Sequence, residues 1–267
     1  VAFFYLLVVI GMMLLEKRLI YFPARWPQGD WSPLTVPRED AWIAAPDGVK
    51  LHGWFVPHAQ PRAVMLIASG NAGNVTVWRD ELEWLHAHGV AAMVFDYRGY
   101  GRSEGKPDEA GLLADARAAR AWLARRCGVA ETDVVLRGRS LGGAVMVDLA
   151  AAAGARGLVL ESTFTSLPDV AAQFYFWLPV RLLMRTRFDS LSKIGRYQGP
   201  LLQSHGDADE IVPFFLGRRL FDAAGGPKQW ITIPGGRHND PQSVEFYQAL
   251  DRFLDSNGKG EAAARAG

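Results

Sequence analysis

The alternation of short apolar runs with amphipathic stretches, sustained from residue 62 to residue 256, is what most limits the folds open to this chain. "RAVMLIA", "VAAMVFDY", "DVVLRG", "RGLVLES", "GPLLQSHG" and "KQWITIPG" are short and apolar, and read as strands. "VWRDELEWLHAHG", "DEAGLLADARAARAWLARRCG", "SLGGAVMVDLAAAAG" and "FFLGRRLFDAAGG" lie between them with helical character, and "PQSVEFYQALDRFLDS" closes the series. Ahead of the series, "AWIAAPDGVKLHGWFVP" reads as two strands around an Asp47-Gly48 turn. Apolar strands alternating with helices need a parallel sheet covered on both faces. The expected class is therefore α/β, with a mostly parallel central sheet of about eight strands and helices on both faces.

The chain has 267 residues, 49% of them hydrophobic, enough for one sizeable core. A formal charge of +1 gives no electrostatic case for nucleic acid. No C-x-x-C or H-E-x-x-H signature points to a metal, and no cofactor is implied. The single cysteine, Cys127, excludes an intrachain disulfide. Residues 1–18 differ from the rest: "VAFFYLLVVIGMMLL" carries no charge and is followed by "EKRLIYFP". The expectation here is an N-terminal apolar helix that anchors the chain in a membrane, which takes about 20 apolar residues. The alternative is a buried or surface-lying helix. Lys17, Arg18 and Arg25 follow the apolar run, so the positive-inside rule places the main domain on the cytoplasmic side. Residues 19–40 read as a Pro- and Trp-rich linker, 41–256 as the main domain, and 257–267 as a frayed tail.

Ligands of such sheets sit outside the carboxyl ends of the strands. Ser140 meets that condition: it follows "DVVLRG" and opens a helix, in the sequence "GRSLGG". Gly138 and Gly142 leave room for a sharp strand-to-helix turn that raises a nucleophile, and the helix start favours a developing oxyanion. The plainer alternative is a helix N-cap. A serine nucleophile needs a base and an orienting acid, in the chain order Ser, acid, His. His52, His58, His86 and His88 come too early, and His205 ends a strand where it braces a loop. His238, in "PGGRHND" after the last strand, is the candidate base. Three acids follow strands: Glu161, Asp207 and Asp209. Glu161 lies on the strand after the nucleophile's, and spacing leaves both aspartates open, with Asp209 one step further into its loop.

Between Glu161 and Gly199 the chain is too long for a plain connection and too short for a large cap domain. The expectation is a short helical lid over residues 164–195, centred on "FYFWLPVRLLMR". Phe174, Trp177, Leu178 and Leu182 fall at helical spacing, and Pro179 divides the stretch into two short helices. These side chains either receive an acyl chain beside Ser140 or merely pack onto the domain.

Five stretches together resemble the α/β-hydrolase fold superfamily, in particular its small membrane-anchored serine-hydrolase branch. They are "SGNAGN" at 69–74, "FDYRGYGRSEGKP" at 95–107, "GRSLGG" at 138–143, "HGDADEIVPF" at 205–214 and "GGRHND" at 235–240. The resemblance selects Asp209 as the acid and implies an oxyanion hole made by the backbone N–H groups of Asn71 and Leu141. It implies that Arg98 and Tyr100 brace loops. Ser69-Gly70 stands where that branch usually has His-Gly. The activity implied is hydrolysis of a carboxylic ester or thioester, on a small-molecule or lipid-like acyl substrate, without a cofactor. A peptidase or amidase on the same fold is the nearest alternative, and a catalytically silent membrane-tethered interaction module is a third.

Overall fold

The computed structural model describes residues 2–264. Eight strands form the central sheet: β1 Glu39–Ala44, β2 Lys50–Val56, β3 Ala63–Ala68, β4 Val90–Phe95, β5 Val134–Arg139, β6 Gly157–Glu161, β7 Leu201–Gly206 and β8 Lys228–Ile233. Their spatial order is β1-β2-β4-β3-β5-β6-β7-β8. β2 runs antiparallel to both its neighbours, and every other pairing is parallel. The order reverses direction around β3, between β4 and β5, which opens a crevice at the carboxyl ends of β3 and β5.

The helices are α1 Ala2–Ile20, α2 Arg79–Ala87, α3 Glu109–Cys127, α4 Leu141–Ala153, α5 Leu167–Phe174, α6 Val180–Leu183, α7 Leu191–Ile194, α8 Phe214–Asp222 and α9 Val244–Ala264. The two-residue period of a strand divides the core cleanly. On β3, Val64, Leu66 and Ala68 face one side with α3, α4 and α8, while Ala63, Met65 and Ile67 face the other with α2 and α9.

Several expectations change on contact with the structure. The membrane-spanning anchor at 1–18 is not found: among the described residues, no helix is long and apolar enough to cross a membrane. The charges in the last turn of α1 explain why. Lys17 Nζ bonds Asp108 at 3.1 Å, and the Glu16 carboxylate accepts the Thr186 N–H at 2.6 Å, so that turn is fastened to the domain. Residues 19–40 are more than a linker. Phe22–Pro23 pairs in parallel with Ala72–Gly73, and Trp31, Leu34 and Val36 pack against the core. Pro179 does divide the lid, standing at the N-cap of α6. However, α5 ends at Phe174, so Phe174, Trp177, Leu178 and Leu182 do not form one helical face. The closing helix runs on through part of the expected tail, and residues 265–267 lie outside the described residues.

One buried charge cluster ties the sheet to the α2–α9 side. Arg137 on β5 is 1% exposed and sits between the carboxylates of Glu161 on β6 and Glu81 on α2. Burial works to lower the guanidinium's pKa, but the two carboxylates more than reverse it and raise it above its ordinary value. Arg137→Met leaves two carboxylates without their cation, a loss of about 3–5 kcal/mol. Thermal unfolding followed by circular dichroism should show a fall of about 10 °C. A change within about 2 °C would mean the cluster contributes little.

Candidate active site

The turn from β5 into α4 sets the geometry. Ser140 adopts φ 52° and ψ −118°, left-handed backbone that residues with a Cβ avoid. Close packing enforces it. A Cβ at Gly138 would lie 2.3 Å from the Gly142 carbonyl oxygen, and one at Gly142 would lie 2.1 Å from the Ala68 carbonyl oxygen. The Ser140 N–H donates to Glu161 O at 2.8 Å, and its carbonyl accepts the Thr163 hydroxyl at 2.8 Å. The side chain makes no capping bond to α4, which removes the N-cap alternative.

That hydroxyl faces His238 instead. His238 Nε2 is 3.1 Å from Ser140 Oγ, and His238 Nδ1 is 2.8 Å from Asp209 Oδ2. All three residues are buried or nearly so. The other Asp209 oxygen accepts the amides of Ile211 at 2.9 Å and Val212 at 2.7 Å, which fixes the carboxylate plane. The remaining candidate acids are occupied elsewhere. Asp207 accepts the Gly235 N–H at 2.6 Å, joining the acid loop to the histidine loop, and Glu161 is held by Arg137 and Gln242.

His205 does more than brace a loop. Its Nε2 is 2.9 Å from Val212 O and 3.2 Å from Asp209 Oδ2, so one N–H is shared between them. Asp209 therefore receives a histidine on each side. Burial alone would raise its pKa, but the bonds from His205, His238 and the Val212 amide outweigh that and hold the carboxyl well below its usual range. An acid in this state stays charged through the neutral range and can stabilise an imidazolium. "HGDAD" contains the signal for this contact, since a strand-end histidine four residues before the acid can turn back onto it.

Asn71 and Leu141 both border the same cavity as Ser140. Leu141 is the first residue of α4, so its N–H has no acceptor within the helix and points out of its positive end. The Asn71 side chain is turned away: Nδ2 donates to Ile20 O at 2.8 Å. Its carbonyl accepts the Phe22 N–H at 2.9 Å and the Tyr100 hydroxyl at 2.8 Å. What Asn71 can offer a substrate is thus its backbone N–H. Tyr97 donates to Ser69 O at 2.9 Å, so two tyrosines of "DYRGYG" hold this loop by its carbonyls. Arg98 is bound by Asp115 and Asp47, away from the cavity. Ser69, at the position of the branch's usual histidine, accepts the Trp78 indole N–H at 2.7 Å.

The cavity above Ser140 is about 230 Å³ and mostly apolar. Phe174 and Leu178 line it, whereas Trp177 and Leu182 do not; Leu182 is 86% exposed. The last two are removed from the expected pocket because the helix break at Phe174 rotates them outward. Among the described residues, no group of histidine, cysteine and carboxylate side chains is placed to hold a metal ion.

Comparison with known proteins places this geometry. A family model described as serine aminopeptidase, S33, matches residues 59–191. Protein Rv2307c of Mycobacterium tuberculosis is 39% identical over 244 residues, covering 90% of this chain and 87% of its own. The alpha/beta hydrolase domain-containing protein WAV2 of Arabidopsis thaliana is 33% identical, covering 88% of this chain and 85% of its own. The chain belongs to the α/β-hydrolase family. A yeast relative of this α/β hydrolase, named as a membrane protein, is 31% identical and covers 91% of this chain and 90% of its own. Among solved structures, the Pyrococcus furiosus esterase Pf2001 superposes with a TM-score of 0.73 at 20% identity, covering 89% of this chain and 97% of that one. At that identity the likeness is one of fold.

The aspartates of this α/β hydrolase can be separated experimentally. Asp209→Asn leaves the fold in place but frees His238 to take the wrong tautomer, and kcat should fall by about 10⁴-fold. Asp207→Asn, which loses one turn bond, should cost far less. Ester hydrolysis measured on both variants under one set of conditions would reverse the assignment if Asp207→Asn were the worse of the two.

Proposed function

We propose that this α/β hydrolase is a serine hydrolase that cleaves carboxylic esters or thioesters through an acyl-enzyme. The observation that carries the proposal is the continuous chain of contacts Ser140 Oγ to His238 Nε2 and His238 Nδ1 to Asp209 Oδ2. Ser140 Oγ attacks the acyl carbon while His238 accepts its proton. Asp209 keeps the imidazole oriented and stabilises the imidazolium. The carbonyl oxygen, now an oxyanion, takes the N–H groups of Asn71 and Leu141. His238 then protonates the leaving alcohol or thiol. Water repeats the sequence on the acyl-enzyme and restores Ser140.

A peptidase reading draws support from the description of the matching family model. The cavity favours the ester. Recognition of a free α-amine asks for an available carboxylate, and among the described residues the only carboxylate lining the cavity is Glu16. Its oxygens already accept the amides of Arg185 and Thr186. A silent interaction module is disfavoured by the intact set of contacts. Placement at a membrane, on its cytoplasmic side, belongs to the same proposal. It is supported by the yeast relative's printed name, not by a spanning helix.

Purified protein should hydrolyse p-nitrophenyl butyrate and butyryl thioesters, and be far slower on leucine p-nitroanilide. Ser140→Ala should lower ester turnover by about 10⁴-fold without changing the unfolding temperature. Faster cleavage of the anilide than of the ester would favour the peptidase.

A further inference from the structure

We infer that α1 is one wall of an acyl-chain channel, and that this helix sets the substrate class as linear acyl groups of medium to long chain length. The inference rests on the ester-hydrolase reading and extends it to a segment that looks, from sequence, like an anchor. The cavity that starts at Ser140 is bounded on one side by Val9, Met12, Met13, Glu16 and Leu19 of α1. This spacing is a single helical stripe. A second stripe, Leu167, Val170, Ala171 and Phe174 of α5, also lines the cavity. From Ile20, whose carbonyl holds the Asn71 side chain, back to Val9, the helix rises roughly 16 Å. The channel thus has an inner end at the nucleophile and extends well past the reach of an acetyl group.

The α1 stripe is not there to build the core. Among the described residues of α1, only Ile20 belongs to the buried core cluster. Val9 and Met12 are partly exposed and Met13 is 36% exposed: they border space rather than fill it. The helix is nevertheless held to the lid at both ends of the channel. At the inner end, Glu16 accepts the Arg185 and Thr186 amides. At the outer end, the Tyr5 hydroxyl donates to Trp177 O at 3.3 Å, and the two rings meet edge-on at 6.2 Å. With Glu16 engaged in this way, the walls between offer apolar surface and methionines, which adapt to a flexible chain. A linear acyl group is the ligand that such a gap accommodates.

The test is a series of p-nitrophenyl esters from acetate to dodecanoate, each below its solubility limit. For the wild type, kcat/KM should climb with chain length, by up to roughly fourfold per buried methylene, until the channel is full. Met12→Trp narrows the channel. It should move the optimum to shorter chains and lower the octanoate-to-acetate ratio by about tenfold or more, equivalent to losing two or so methylenes. Met12→Ala should move the optimum to longer chains, and keeps the test open should the tryptophan variant fail to fold. Leu14→Gln, 80% exposed and outside the cavity, should leave the ratio as it is. A profile that peaks at acetate, or one that neither Met12 variant shifts, overturns the role of α1. If the wild type hydrolyses no ester of any length, the ester-hydrolase reading itself fails, and the two failures are thereby distinct.

Discussion

The backbone of Ser140 holds the site together at a cost. A residue with a Cβ in the left-handed region at φ 52° stores about 1–3 kcal/mol of strain, which the surroundings must offset. Here β3 and β6 do so. The Ser140 amide is tied to Glu161 O at the end of β6, and α4 leaves so close to the end of β3 that a Cβ at Gly142 would overlap the Ala68 and Ser69 carbonyls. Because the turn is that tight, the hydroxyl cannot fold back to cap α4 and is left facing His238. The same closeness brings Gly70 within 3.6 Å of the Ser140 Cβ, as measured from the Cβ position Gly70 lacks, so the Asn71 loop must lie over the nucleophile.

That loop depends on contacts made far away in sequence. Its carbonyls are held by Tyr97 and Tyr100 and by the amide of Phe22, and the Asn71 side-chain amide by the end of α1. The N-terminal segment is therefore joined to the site on two sides: through Ile20 and Phe22 to the Asn71 loop, and through Tyr5 and Glu16 to the lid. On the opposite side, Asp209 collects two histidines and two amides. Each group that would form or stabilise charge in the reaction is thus fixed before a substrate arrives, which is how preorganised sites lower barriers.

Much of this was legible in the chain because the relevant physics is local. Strand identity follows from short apolar runs, and the elbow follows from glycines two residues either side of Ser140. The order Ser140, Asp209, His238 and the lid's break at Pro179 were also open to sequence reading. What escaped it was long-range. A run of fifteen uncharged residues looks the same whether it spans a bilayer or borders a cavity; the difference lies in what Glu16 and Lys17 bind. Trp177 and Leu182 fit a helical stripe only if the helix continues past Phe174, and whether it does is settled by packing around Tyr175 and Pro179. The four-residue spacing of His205 and Asp209 permits their contact but does not fix it, because the contact depends on how the loop after β7 folds back.

The role assigned to Ser140 is tested most directly by a fluorophosphonate that carries a mass tag, with the adduct located by peptide mass spectrometry. The geometry of Ser140, His238 and Asp209 requires one adduct per chain, on Ser140, formed much more slowly when His238 is replaced by alanine. An unlabelled protein with an intact fold, an adduct on another residue, or a labelling rate indifferent to His238 would contradict it.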